Sequence, residues 1–474
     1  MEDLLNLGLT IANNLGADYA EGRFQSDTHE TLILKNGNPE VASNIRRVGV
    51  SIRVLLKGSM GFASTNILTR DSVKEAARRA VKLAKAVKDE LNPKIRMSEE
   101  KLERERVEVK PKIKHEDIDL ESKFKELIEA DKLGVSEAEK SGAKLPSRML
   151  SLDLSYSTKL VINTDGAHVF SAMPKTSFYA LLTAYHPQKI PAQRYVSLGE
   201  TRGWEAIKEW DIPKLLGDES SILSRIVLEA VDPPSGTLDL ILGPEVVGIV
   251  CHESSGHPAE ADRILGREAA QAGETYLKRD SIGLRVGSDK VTVIDDPTIP
   301  GSFGFYLYDD EGVKARKRYL IKEGIINEFL HNRETAAQFG IRSNASSRST
   351  SFNREPIVRM ANTYVAPGDY SLDELIEDVK LGIYIKSFME WNIDDRRFNQ
   401  KYVGLEAYKI ENGKLGNLVR NPVVEMTTIG LWSSVDAVGK DLEFQSAFCG
   451  KGDPMQGIPV WTGGPHIRLR RVKV

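Results

Sequence analysis

The pattern of apolar and polar positions changes character along the chain. Leu4, Leu5, Leu7 and Ile11 fall on one face of a helical wheel, which predicts an amphipathic helix over residues 2–16. From 17 to 64, short apolar runs broken by turn formers such as Asn36-Gly37-Asn38-Pro39 predict strands joined by tight turns. Helical spacing returns behind Asp71 with Val73, Ala76, Ala77, Ala80, Val81 and Ala84, predicting a helix over 71–90. Another helix is expected over about 117–141. Strands are expected over 149–157, 160–163 and 177–185, with a turn at Thr164-Asp165-Gly166, and a helix over 205–231. Residues 98–114 are so densely charged that they read as a solvated connector.

The run Asp232-Pro233-Pro234-Ser235-Gly236 stops the last of these helices and is the strongest break in the chain. It predicts two units. Residues 1–232 would form an α+β domain, a mixed or largely antiparallel sheet covered by helices. Residues 233–474 would form a β-rich domain, barrel- or sandwich-like. There, a short buried strand over 238–242 leads into a helix through 252–257. Short strands and glycine turns follow from about 290, interrupted by a helix over 372–386. No fixed-period repeat and no low-complexity tract is present.

Composition narrows the class. With 474 residues, 41% hydrophobic and 28% charged, the chain has the make-up of a globular protein with real cores. A net charge of -3, from 65 basic and 68 acidic residues, gives no support to a nucleic-acid partner. No segment approaches the roughly 18–20 apolar residues that span a bilayer. The start, Met1-Glu2-Asp3-Leu4-Leu5, lacks the basic and apolar regions of a signal peptide. Two cysteines make no disulfide framework. The expectation is a cytoplasmic protein with neither a membrane nor a nucleic-acid partner.

The candidate chemistry lies in Cys251-His252-Glu253-Ser254-Ser255-Gly256-His257. It is nearly the His-Glu-x-x-His helix of zinc peptidases, in which two imidazoles hold the metal and the glutamate activates water, but one extra residue separates the histidines. Residues four apart on an α-helix lie about 40° from eclipsed, whereas residues five apart are separated by about 140°. A regular helix therefore cannot aim both imidazoles at one ion. A π-bulge or an irregular helix end would, and Gly256 and Pro258 favour one. A third ligand is also needed, since a catalytic zinc usually keeps three protein ligands and an open position. Other histidines, Glu260, Asp262 or a cysteine could supply it. Cys251 points elsewhere on the helix and reads as a small buried hydrophobe. Cys449 sits in the glycine-rich Phe448-Cys449-Gly450-Lys451-Gly452-Asp453, read as a loop that could approach from outside. The acidic run Asp309-Asp310-Glu311-Gly312 reads as a solvated turn and His466 as a surface histidine.

Several segments in order resemble the TldD/PmbA family of zinc metallopeptidases. They are His252-Glu253 with Gly256-His257, Asp309-Asp310-Glu311-Gly312, Leu330-His331-Asn332-Arg333-Glu334, Arg359-Met360-Ala361-Asn362, Glu406-Ala407-Tyr408 and Cys449-Gly450-Lys451. The match is to the branch that carries His-Glu-x-x-x-His. The resemblance implies Zn²⁺ held by His252, His257 and Cys449, with Glu253 as the catalytic carboxylate. It also implies peptides or unfolded polypeptide segments as substrates, and a homodimer or a heterodimer with a motif-free paralogue. Glu260 or Asp262 could orient a ligand histidine. The competing expectation is a non-catalytic regulator of the gyrase-modulator type with a structural zinc. Structural zinc sites usually close with four protein ligands, however, and only three convincing ones are found.

Overall fold

The computed structural model describes residues 1–87, 94–268 and 273–474. The end of the expected 71–90 helix, residues 88–90, lies outside them. Helix α1 (Glu2–Asn14) precedes β1 (Tyr19–Lys35), β2 (Asn38–Leu56) and β3 (Ser59–Thr65), and α2 (Arg70–Val87) follows. Next come β4 (Arg104–Glu108), α3 (Leu120–Lys140), β5 (Lys144–Asn163), β6 (His168–Tyr185), β7 (Ala192–Glu200), α4 (Glu205–Trp210) and α5 (Ile212–Glu229). The strands form one sheet in the order β3-β2-β1-β5-β6-β4, with β7 also pairing with β6. All pairs are antiparallel except β4 with β6. The charged 98–114 connector thus contains an edge strand. Its side chains are mostly exposed, but its backbone pairs with residues 168–172.

Strand alternation gives this sheet two different faces. Leu150, Leu152 and Leu154 of β5 pack into the core under α3 and α5, while Leu160 and Ile162 pack into the core under α1 and α2. These residues share one face, so the helices cover that face. The opposite face carries Arg23, Gln25, Asp27, Lys159 and Lys175 and turns towards the C-terminal half. There Lys159 Nζ donates to Asp310 at 2.8 Å and Arg53 to Glu311 at 2.7 Å. The acidic run 309–311 is therefore buried rather than solvated, Asp310 and Glu311 in ion pairs and Asp309 against backbone N–H groups. The polar residues in β5 and β6 also explain why these strands run to 20 and 18 residues, longer than expected. Their polar positions are partner-facing, not breaks.

In the C-terminal half, β8 (Thr237–Leu242) lies inside a six-stranded mixed sheet, parallel to Leu381–Ile385 and antiparallel to Ile467–Lys473. The helix expected over 372–386 is thus a short helix, Leu372–Glu377, followed by a strand. Gly382 allows the strand to approach, because a Cβ there would meet the Asp239 carbonyl. A second six-stranded sheet includes Asn362–Val365, Gln456–Gly464 and Glu443–Lys451. Both sheets are open; neither closes into a barrel. Helix α6 (Pro244–Cys251) follows β8 and buries Val246, Val247 and Val250 in a core shared with both sheets. The chain thereby delivers the residues after Cys251 against the strand that carries Cys449. Among the described residues no helix is long and apolar enough to cross a membrane.

Candidate metal centre

The extra residue between the histidines is absorbed where α6 ends. The backbone N–H of His257 donates to the carbonyl of His252, five residues back, so His252–Gly256 is a π-turn. A 3-10 turn, His257–Ala259, then carries Pro258. The wide turn brings the two imidazoles together, ring centres 4.8 Å apart and planes at 80°. Gly256 serves this geometry differently from expectation. Its φ is an ordinary -66°, but a Cβ there would overlap the Met360 sulfur. Gly256→Ala is expected to lower stability by about 1–3 kcal/mol through this overpacking, read in denaturant melts.

Cys449 lies on a strand, not in a loop. It sits opposite Ile458 in the Glu443–Lys451 and Gln456–Gly464 pair, and the glycine-rich turn comes after it. Its Sγ is 3.4 Å from His257 Nε2. One ligand atom each of His252, His257 and Cys449 lies within 4.8 Å of the other two, and all three residues are buried. His252 Nδ1 is buried without a hydrogen-bond partner, an orphaned polar atom within the same buried cluster. Burial pushes the Cys449 thiol up, but the neighbouring His257 and Arg359 outweigh it and bring the pKa down to about 7. Burial likewise pushes His252 below its usual value, the adjacent Glu253 only partly opposing, which favours the neutral ring that ligates metals.

Around the cluster is a charged layer. Glu260 Oε2 accepts from His257 Nδ1 at 2.9 Å and from Arg263 Nε at 2.7 Å, and pairs with Lys451 at 3.2 Å. Burial alone would raise Glu260, but Lys451, His257 and Arg263 hold it well below the usual carboxylate range. This contact fixes the ring of His257 with Nε2 towards Cys449. Asp262, the other candidate for that task, instead pairs with Lys451 at 2.7 Å.

Glu253 is buried, and its Oε2 accepts from a guanidinium nitrogen of Arg397. Arg397 occupies the turn between strands Phe388–Ile393 and Asn399–Gly404 at φ 60°. Burial raises the Glu253 carboxyl, but His257, Arg397 and His252 together draw it below its usual value. The sequence reading does not single out Arg397. It ends the charged run Asp394-Asp395-Arg396-Arg397, which looks like any solvated hairpin turn. The other candidates lie elsewhere. Cys251 is fully buried among apolar residues. Arg333 donates to the Ser98 carbonyl and to Asp165. His466 is 6% exposed and not a surface residue: Tyr384 and Asp441 hold its two ring nitrogens in the core.

Residues 20–84, 113–232 and 235–474 match, respectively, domain 1, the central domain and the C-terminal domain described for PmbA/TldA metallopeptidases. A metalloprotease of Methanocaldococcus jannaschii is 32% identical over 453 residues, covering 95% of this chain and 96% of its own. A zinc metalloprotease TldD homolog of Saccharolobus solfataricus is 34% identical over 269 residues, 56% of this chain and 57% of that protein. The crystal structure of TldE from Thermococcus kodakarensis shares the fold, with a TM-score of 0.75 at 18% identity, covering 100% of this chain and 99% of that one.

Proposed function

The chain belongs to the PmbA/TldA metallopeptidase family, and we propose that it is a zinc-dependent peptidase acting on peptides or unstructured polypeptide segments. The observation that carries this reading is the convergence of two imidazole nitrogens and one sulfur within 4.8 Å, beside a buried glutamate. Two nitrogens and a thiolate form a donor set suited to zinc, and three protein ligands leave a position open, as in catalytic rather than structural sites. Zinc there would lower the pKa of a bound water and polarise a scissile carbonyl. Glu253, whose carboxyl is drawn below its usual value, would take up the proton of that water and pass it to the leaving amine. His252, Glu253, His257 and Cys449 are each no more than 9% exposed, so an extended chain fits the approach better than a folded protein. A dimer, with itself or with a motif-free paralogue, is the proposed working form.

Glu260 acts through His257. Glu260→Gln should weaken zinc binding by about 10–100-fold, measured by chelator competition, while all three ligands remain. The reading as a whole is tested by removing zinc with a chelator and following cleavage of an unstructured peptide. Cleavage should stop and should return with added zinc. Cleavage unaffected by chelation, or zinc binding with no cleavage in any assembly state, would overturn it.

A further inference from the structure

A cavity lies across the strand from Cys449. Phe448 and Cys449 are consecutive on Glu443–Lys451, so their side chains leave opposite faces. Phe448, 62% exposed, borders a cavity of about 390 Å³ between the polar face of β1, β5 and β6 and the C-terminal half. That volume is in the range of small-molecule sites. Met173, Phe303, Phe305, Tyr306 and Ile458 supply apolar wall.

Two cations stand in this wall without an ion-paired carboxylate, Arg348 having only the more distant Asp310 and Asp295 to favour its charge. Lys175 Nζ donates to Thr201 Oγ1 at 2.9 Å and to the Phe303 carbonyl at 2.5 Å. An ammonium has three donors, so one has no acceptor among the described residues. The charged groups acting on Lys175 are Arg348 and Lys159, both positive. Arg348, 9% exposed, donates to the carbonyls of Met360 at 2.6 Å and Pro459 at 3.0 Å and makes no ion pair among the described residues.

The acids lining the cavity are otherwise engaged. Asp310 accepts from Lys159, Arg23 and Ser349. Asp27 accepts from Gln25 and Ser157, and Asp153 from Thr31 and Ser151. Asp309 accepts from the backbone of Glu311, Val313 and Ser347, and burial pushes its carboxyl up.

We infer that this cavity binds a small organic carboxylate with an apolar or aromatic body, the carboxylate set between Lys175 and Arg348. A buried ammonium such as Lys175, with no carboxylate acting on it, is costly, and an anion supplied from outside offsets that cost. Burial pushes the Lys175 ammonium well below its usual value; a bound carboxylate would hold it protonated. The apolar wall then receives the rest of the ligand. This site does not depend on the peptidase reading, since none of its charged groups touches the metal cluster.

The test is calorimetric binding to the full chain of two carboxylates, each beside its neutral amide. N-acetylphenylalanine represents the end of a peptide and 3-phenylpropanoate a free acid. At least one carboxylate should bind ten-fold or more tightly than its amide, and the tighter of the two identifies the source. Lys175→Met should abolish the preference. Ser155→Phe, placed opposite Lys175 on β5, should block binding with both cations intact and decides the matter if Lys175→Met does not fold. Carboxylates bound no better than amides, or binding unchanged in the folded Lys175→Met or Ser155→Phe protein, would overturn the inference.

Discussion

Cys449→Ser is expected to cost zinc affinity more than about 100-fold, beyond the loss typical for an outer-shell partner such as Glu260. The sulfur is the only soft donor of the three, and its pKa of about 7 means the thiolate needed for ligation costs little to form near neutral pH. Serine has nearly the same shape, and its hydroxyl can keep a hydrogen bond to His257 Nε2, where Cys449 Sγ now lies at 3.4 Å. The pairing of Cys449 with Ile458 is made by backbone and is unaffected. The fold should therefore survive, as near-native melting of the metal-free variant would show. Unchanged zinc stoichiometry and affinity in chelator competition would remove Cys449 from the ligand set.

Glu253→Gln is expected to reduce kcat by about 10²–10⁴-fold with zinc content unchanged. That corresponds to roughly 3–5 kcal/mol of barrier. The variant keeps the shape of the side chain and can keep an oxygen towards Arg397, but it cannot accept a proton from water. The prediction separates the glutamate from its neighbours, because His252 and His257 retain their own contacts. A variant that still binds one zinc and cleaves an unstructured peptide at the wild-type rate would end the general-base role.

How much of this could be read in the sequence depended on whether its signal was local. Two ligands five residues apart call for a π-bulge or an irregular helix end, a local matter of helix geometry, and a π-turn is what forms. The helices Glu2–Asn14 and Arg70–Val87 were legible because their apolar faces pack within one unit. What failed depended on distant partners. Asp310 and Glu311 looked solvated because Lys159 and Arg53, which neutralise them, lie more than 150 and 250 positions away. Residues 381–385 continued a helical pattern but pair beside β8 as a strand. His466 was misplaced at the surface because nothing local announces Tyr384 and Asp441. Cys449 entered the candidate site through family resemblance and not through its glycine-rich surroundings, which suggested a loop where a strand exists. Arg397 carried no usable signal, since its contact with Glu253 spans 144 positions.

The central claim is that His252, His257 and Cys449 hold one zinc and leave a position open beside Glu253. X-ray absorption at the zinc edge of the loaded protein tests it most directly. The account predicts one sulfur at about 2.3 Å and two imidazole nitrogens at about 2.0–2.1 Å, with one further light atom completing the shell. A shell without sulfur, or one with a second sulfur, would contradict it.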